Sequence, residues 1–312
     1  MTNLKTTVRE HRADAAMTFM VLVWGINFIV VKDAVSNIHP LTFNSARFII
    51  GLPLLLVFGV VDRRWLSTHP REIGLIALLS VTGPVLYQIG FTTGLQYTTA
   101  TNAALLVATI PTWTSLFSIL MGLVQIRRRL VTGMLITLGG VTLVVLSRSD
   151  SGLALSHDDV VGSLLILGAA AANGMSNVLT KPVVDRVGSM QTAIWKYIFT
   201  TIGLTLVALP ELMHTALSDI PVSTVPNIMY SGMMSGVGGF IVVHLAVHEI
   251  GPTRSSSYFN YNPIVAGIAG ILVLSEPFSI WLIVGGGLTI FGVSMVRANT
   301  YMRKRPAPQP AT

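Results

Sequence analysis

The sequence predicts an all-α polytopic membrane protein with ten transmembrane helices, arranged as two five-helix repeats of inverted topology. Composition, run length and self-similarity carry that expectation. Of 312 residues, 52% are apolar and 11% charged, and the mean hydropathy is +0.69, which suits a chain whose solvent is lipid. The apolar residues fall in runs of roughly 20, enough at about 1.5 Å per residue to cross a hydrocarbon core of about 30 Å.

Spans are expected at 15–35, 41–61, 73–94, 100–122, 131–147, 160–180, 189–209, 226–247, 253–274 and 277–296. The breaks between them carry turn chemistry: Asn37 with Pro40, the stretch from Asp62 to Pro70, the stretch from Glu211 to Pro226, and Gly251 with Pro252. The domain expectation follows. Residues 1–14 form a cytoplasmic segment, 15–147 the first repeat, 148–159 a connecting loop, 160–298 the second repeat, and 299–312 a basic, Pro-rich disordered tail. The first 14 residues are polar and mixed in charge, so no cleavable signal peptide is expected.

With no cysteine, disulfides, thiolate metal sites and cysteine nucleophiles are excluded. The net charge of +7 does not point to nucleic acid, because the basic residues are spread over membrane-flanking loops. With the N-terminus inside, sixteen Lys and Arg fall on cytoplasmic segments and only Lys32 and Arg148 on external ones. That asymmetry predicts a multi-pass protein of the inner membrane with both termini cytoplasmic.

Sliding the chain on itself by 149 sets Gly25 on Gly174, Lys32 on Lys181, Arg47 on Lys196 and Phe48 on Tyr197. A shift of 152 sets Thr101 on Thr253, Pro111 on Pro263, Gly133 on Gly285, Thr137 on Thr289, and Gly140 on Gly292. Two nearly equal offsets in unbroken order indicate duplication. Five is odd, so the second half enters the membrane from the opposite face, and a pseudo-two-fold axis lies in the membrane plane. Exchanging the conformations of the halves then converts an outward-open state into an inward-open one.

Several residues qualify for a central site. Pro111 and Pro263 each fall about 15 Å into a span and free a carbonyl four residues back, which suits a gate. The segment Tyr258, Phe259, Asn260, Tyr261, Asn262 and Pro263 is the most polar and aromatic inside any span. Asn27, Tyr87, Gln88, Asn102, Trp113, Asn173, Asn177 and His244 add polar or aromatic groups from other helices. Amides at that depth either bond helix to helix or line a cavity. Arg47 and Lys196 sit roughly 9 Å in from opposite faces, where charge must snorkel, pair or meet substrate. Lys32 and Lys181 read as interfacial anchors. Glu276 stands between helices 9 and 10, as a cap or a coupling group. His244, His248 and Glu249 run in the order His-x-x-x-His-Glu, which is not a zinc-hydrolase motif, so no metal or other cofactor is expected. The glycines of helices 5 and 10 read as close packing, with a dimer contact as the other option.

The motifs Trp24-Gly25-x-Asn27-Phe28 with Lys32, Pro40 with Arg47, and Gly94-Leu95-x-Tyr97-Thr98 leading to Ala103, Ala104 and Pro111 recur in a known pattern. The second half offers Gly251-Pro252-Thr253-Arg254, Pro263, Ser275-Glu276-Pro277 and Gly285 with Gly292. Together they resemble the drug/metabolite transporter superfamily, specifically its EamA-type ten-helix members. The resemblance spans nearly the whole chain. It departs at Val124, which the 152 offset places where the family often has an acidic mate of Glu276.

The resemblance implies a secondary transporter working by alternating access, with efflux of amino acids or similar amphipathic metabolites, through a cavity framed by helices 1, 3, 4, 6, 8 and 9. Drug efflux or uptake by the same fold is an alternative; a channel or scaffold is one of another class. An enzyme is not expected, since the chain lacks Gly-x-Ser-x-Gly, His-Glu-x-x-His and paired intramembrane aspartates. The partners expected are a small-molecule substrate and the lipid bilayer, with the chain a monomer or homodimer.

Overall fold

The structure is a computed structural model that describes residues 2–61, 63–146, 157–215, 220–276 and 279–301. Arg148, most of the expected connecting loop, Pro277 and the tail from 302 onward lie outside the described residues.

Ten membrane helices emerge, labelled α1 Thr2–Asn37, α2 Pro40–Val61, α3 Pro70–Tyr97, α4 Ala100–Leu120, α5 Arg128–Leu146, α6 His157–Val187, α7 Ser189–His214, α8 Val222–Val247, α9 Tyr258–Leu274 and α10 Ile280–Tyr301. Among the described residues nine are long and apolar enough to cross a membrane, and α9 is a shorter apolar helix. A kink at Gly251 (φ 77°, ψ 161°) separates the end of α8 from the turns that lead into α9. Only glycine adopts that backbone at little strain.

Two expected boundaries move. Helix 1 starts at Thr2 rather than 15, because residues 2–14 contain no Gly or Pro and several good helix formers, so nothing stops the helix at the lipid boundary. Helix 6 starts at His157, within the expected loop, with Asp158 and Asp159 in its first turn, where carboxylates suit the helix dipole.

The inverted repeat is written into the packing. A Cβ on Gly25 would meet Val265 at 2.4 Å and one on Gly174 would meet Trp113 at 2.7 Å. The offsets 149 and 152 interchange these two contacts. Helices α5 and α10 cross in the same way: a Cβ on Gly140 would lie 2.5 Å from the backbone nitrogen of Thr289, and one on Gly292 2.6 Å from that of Thr137. Irregularities repeat as well. Wide π-type turns occur at Val81–Val85 in α3 and at Tyr230–Gly238 in α8. Helix α4 breaks after Val107 and restarts at Ile110, as α9 restarts at Asn262 after a 3-10 turn. Pro111 and Pro263 occupy the first turn of these restarted helices, where a missing N–H is not felt. The large apolar side chains left exposed, such as Val57, Leu135, Leu206 and Leu272, are those that lipid would cover.

Candidate functional site

At mid-depth the halves enclose a cavity of about 440 Å³, within the usual size of small-molecule sites. Its walls are aromatic: Trp24 and Phe28 from α1, Phe48 from α2, Tyr87 and Phe91 from α3, Tyr197 from α7 and Phe259 from the turn before Asn262. Its polar groups are Asn27, Arg47, Gln88, Asn173, Ser231, Ser235 and Asn262. A second space of about 410 Å³ shares Phe28, Val107, Ile110, Phe259 and Asn262 with the first and reaches Pro111, Ser115, Asn177, Pro263 and Arg297. The two form a path from mid-depth toward the face that carries the termini. Neither is lined by Asp or Glu among the described residues.

Arg47 is the only charged side chain that lines the first cavity among the described residues. It is 5% exposed. Its Nη2 donates to Asn44 Oδ1 at 2.7 Å and Gln88 Oε1 at 2.6 Å, and Nη1 donates to Ser231 Oγ at 2.9 Å. The guanidinium carbon lies 5.0 Å from the Phe43 ring centre and 5.6 Å from that of Phe48. Nε is buried without a hydrogen-bond partner. The Asn44 carboxamide is itself fixed: Nδ2 donates to Thr92 Oγ1 at 2.7 Å and to the Gln88 backbone carbonyl at 3.0 Å. No ion pair of the described residues involves Arg47. An arginine held inside the bilayer costs at least about 2.5 kcal/mol on insertion scales. Here neutral oxygens and ring faces lower that cost while its charge stays uncompensated.

Among the expected site residues, Asn27, Arg47, Tyr87, Gln88, Asn173, Asn177, Asn262, Pro111 and Pro263 line these two spaces. Others are placed elsewhere. Asn102 is 1% exposed and donates to Thr98 Oγ1 in the turn before α4. Trp113 faces a separate apolar cleft with Thr112, Leu116 and Leu138. His244 stacks on Phe240, with ring centres 6.3 Å apart. The 3-10 turn at Tyr258–Tyr261 explains the rest, because residues three apart share a side there. Phe259 and Asn262 take the cavity side; Tyr258 donates to Asp14 Oδ1 at 2.8 Å, Asn260 donates to Ser294 Oγ at 3.3 Å, and Tyr261 is 56% exposed. Lys196 leaves the cavity too, its Nζ donating to Ser176 Oγ at 3.2 Å and Thr180 Oγ1 at 3.1 Å.

Glu276 ties the halves together at the face away from the termini. Its carboxylate accepts from the backbone N–H groups of Ala100 at 2.6 Å and Thr101 at 3.2 Å, and from Thr101 Oγ1 at 2.6 Å. A second-half carboxylate thereby caps a first-half helix, where the dipole favours negative charge. Ser275, left-handed at φ 53°, ends α9 and turns Glu276 back onto that cap. Lys32 Nζ donates to the carbonyls of Leu95 at 2.8 Å and Gln96 at 3.1 Å, so it closes the end of α3. At the face of the termini, Arg254 pairs with Asp14, and its Nη1 lies 3.8 Å from Glu10.

Trp24, Phe48, Phe91, Tyr197, Ser231 and Ser235 line the cavity beyond the residues expected from sequence. The first four read as ordinary apolar span residues. Ser231 and Ser235 line the cavity from the wide turn of α8.

The EamA-like transporter family matches residues 11–146 and 160–298, one match on each half. The chain belongs to the EamA-like transporter family. It is therefore a multi-pass membrane transporter and not an enzyme, with a small-molecule substrate and the lipid bilayer as its partners. Among its relatives is a probable terminal-alkyne amino-acid exporter of Streptantibioticus cattleyicolor, 24% identical over 308 residues, 97% of this chain and 99% of that protein. The uncharacterized transporter YoaV of Bacillus subtilis is 23% identical over 285 residues, 91% of this chain and 95% of its own. A solved crystal structure superposes with a TM-score of 0.64 at 15% identity, over 94% of this chain and 99% of that one, which speaks for the shared fold.

Proposed function

We propose that this EamA-like transporter is a secondary carrier that exports amino acids or similar amphipathic metabolites across the cytoplasmic membrane by alternating access, with both termini in the cytoplasm. The observation that carries the reading is the aromatic cavity of about 440 Å³ at the junction of two inverted repeats, the place where such carriers hold their cargo.

Each face of the bundle carries a tie between the halves that one conformation would keep and the other would break. Toward the outside, the carboxylate of Glu276 holds the start of α4. Toward the cytoplasm, Arg254 and Tyr258 hold Asp14 of α1. Cargo would enter through the space that leads to Arg297 and settle between Trp24, Tyr197 and Phe259. It would leave once the Glu276 cap lets go. The exporter named among the relatives supports an amino-acid cargo.

Purified protein in liposomes tests the reading with labelled phenylalanine and leucine. Saturable flux that unlabelled amino acid on the opposite side accelerates is expected. Binding without movement, or non-saturating conductance, would contradict a carrier.

A further inference from the structure

We infer that the cavity recognises its cargo by a carboxylate, or another singly charged anionic oxygen group, placed on Arg47, and that it rejects cations of the same shape. The inference rests on the carrier reading and names the chemistry of its site.

Arginine has five N–H groups, and the bonds to Asn44, Gln88 and Ser231 engage three of them. Those oxygens are neutral. They orient the guanidinium and leave its charge whole, and Nε has no acceptor. Among the described residues no Asp or Glu lines either space, so nothing there would balance a cationic cargo or neutralise the arginine before cargo arrives. In a low-dielectric cavity an unbalanced charge acts strongly on any ion that enters. An anion gains a charge-assisted contact to the guanidinium, which keeps one N–H on Nη1 and that of Nε, while an ammonium meets repulsion. The other aromatic rings that line the cavity, such as Trp24, Tyr197 and Phe259, would take the apolar body of the cargo.

The charge series does not depend on a variant. Binding to the purified full-length protein in lipid nanodiscs would be measured by calorimetry for 3-phenylpropionate, 3-phenylpropanamide and phenethylamine, with butyl and indolyl bodies in parallel. Acids are expected to bind about tenfold or more tightly than their amides, as when a charge-assisted bond becomes a neutral one, and the amines not at all. Arg47→Lys should keep part of the preference for acids, and Arg47→Gln should abolish it. Equal binding of acid and amide, tighter binding of amines, or no binding by any acid would overturn the inference. The carrier reading fails separately: an acid that binds and is never moved sinks that reading and leaves the headgroup assignment standing, whereas flux of amines or neutral compounds does the reverse.

Discussion

The rings of Phe48 and Tyr197 lie 4.9 Å apart, and each stands at the other's position in the repeat, 149 residues away. The pseudo-two-fold axis therefore passes close to this pair, beside Arg47. Tyr197 is wedged tightly, since its hydroxyl oxygen lies 2.1 Å from where a Cβ on Gly51 would be. Gly51→Val should displace the ring, with an overpacking penalty of about 1–3 kcal/mol, read as a lower melting temperature in detergent and slower flux. Tyr197→Phe keeps the tilted ring contact and should leave flux nearly unchanged.

The α5–α10 crossing gives a sharper contrast among glycines. At Gly140 and Gly292 a Cβ would run into backbone atoms at 2.5 to 2.6 Å, but at Gly139 it would meet nothing within 4 Å. Gly140→Leu and Gly292→Leu should both destabilise by at least about 1–3 kcal/mol, and by similar amounts, because the contacts are repeat mates. Gly139→Ala should be neutral or raise stability by up to about 1 kcal/mol through helix propensity. Thermal unfolding followed by size-exclusion fluorescence would rank the three variants.

The ten spans, their inverted pairing and the close packing at Gly140 and Gly292 were legible in the sequence because hydropathy and self-similarity report on burial in lipid and on duplication. Gly139 and Gly287, expected to pack alike, would meet nothing within 4 Å with a Cβ in place. The cavity wall was legible only in part. Asn27, Gln88, Asn173 and Arg47 stood out because polar groups are rare inside spans, yet polarity alone does not tell which side of a helix a residue occupies. Asn102 and Asn260 turn to neighbouring helix groups instead of the cavity. Where helical geometry changes, as in the 3-10 turn at Tyr258–Tyr261 and the wide turn at Tyr230–Gly238, a regular 3.6-residue wheel assigns faces wrongly. Phe48 carries no polar signal at all, and the one polar atom of the Trp24 side chain, Nε1, donates to the Ser235 carbonyl at 2.9 Å.

Glu276 offers a test of the outer tie. Hydrogen bonds to a charged group are worth about 1.5–3 kcal/mol each, and Glu276→Ala removes three of them. The variant should favour the state open away from the termini, so a thiol placed in the cavity should react faster with impermeant reagent from that face. Glu276→Gln keeps acceptor oxygen and should fall between the variant and the parent protein. Unchanged reaction rates in both would make Glu276 a helix cap without a gating role.

The most direct test of alternating access uses the absence of native cysteine. Ser235 lines the cavity, and Ser235→Cys would place a single small thiol there. Sealed vesicles of both orientations, treated with a membrane-impermeant thiol reagent, would report which face reaches it. Labelling from either face, slowed by bound cargo and shifted from one face to the other by an opposing cargo gradient, is the expected result. Labelling confined to one face under every gradient, or simultaneous labelling from both with ion conductance, would contradict the account.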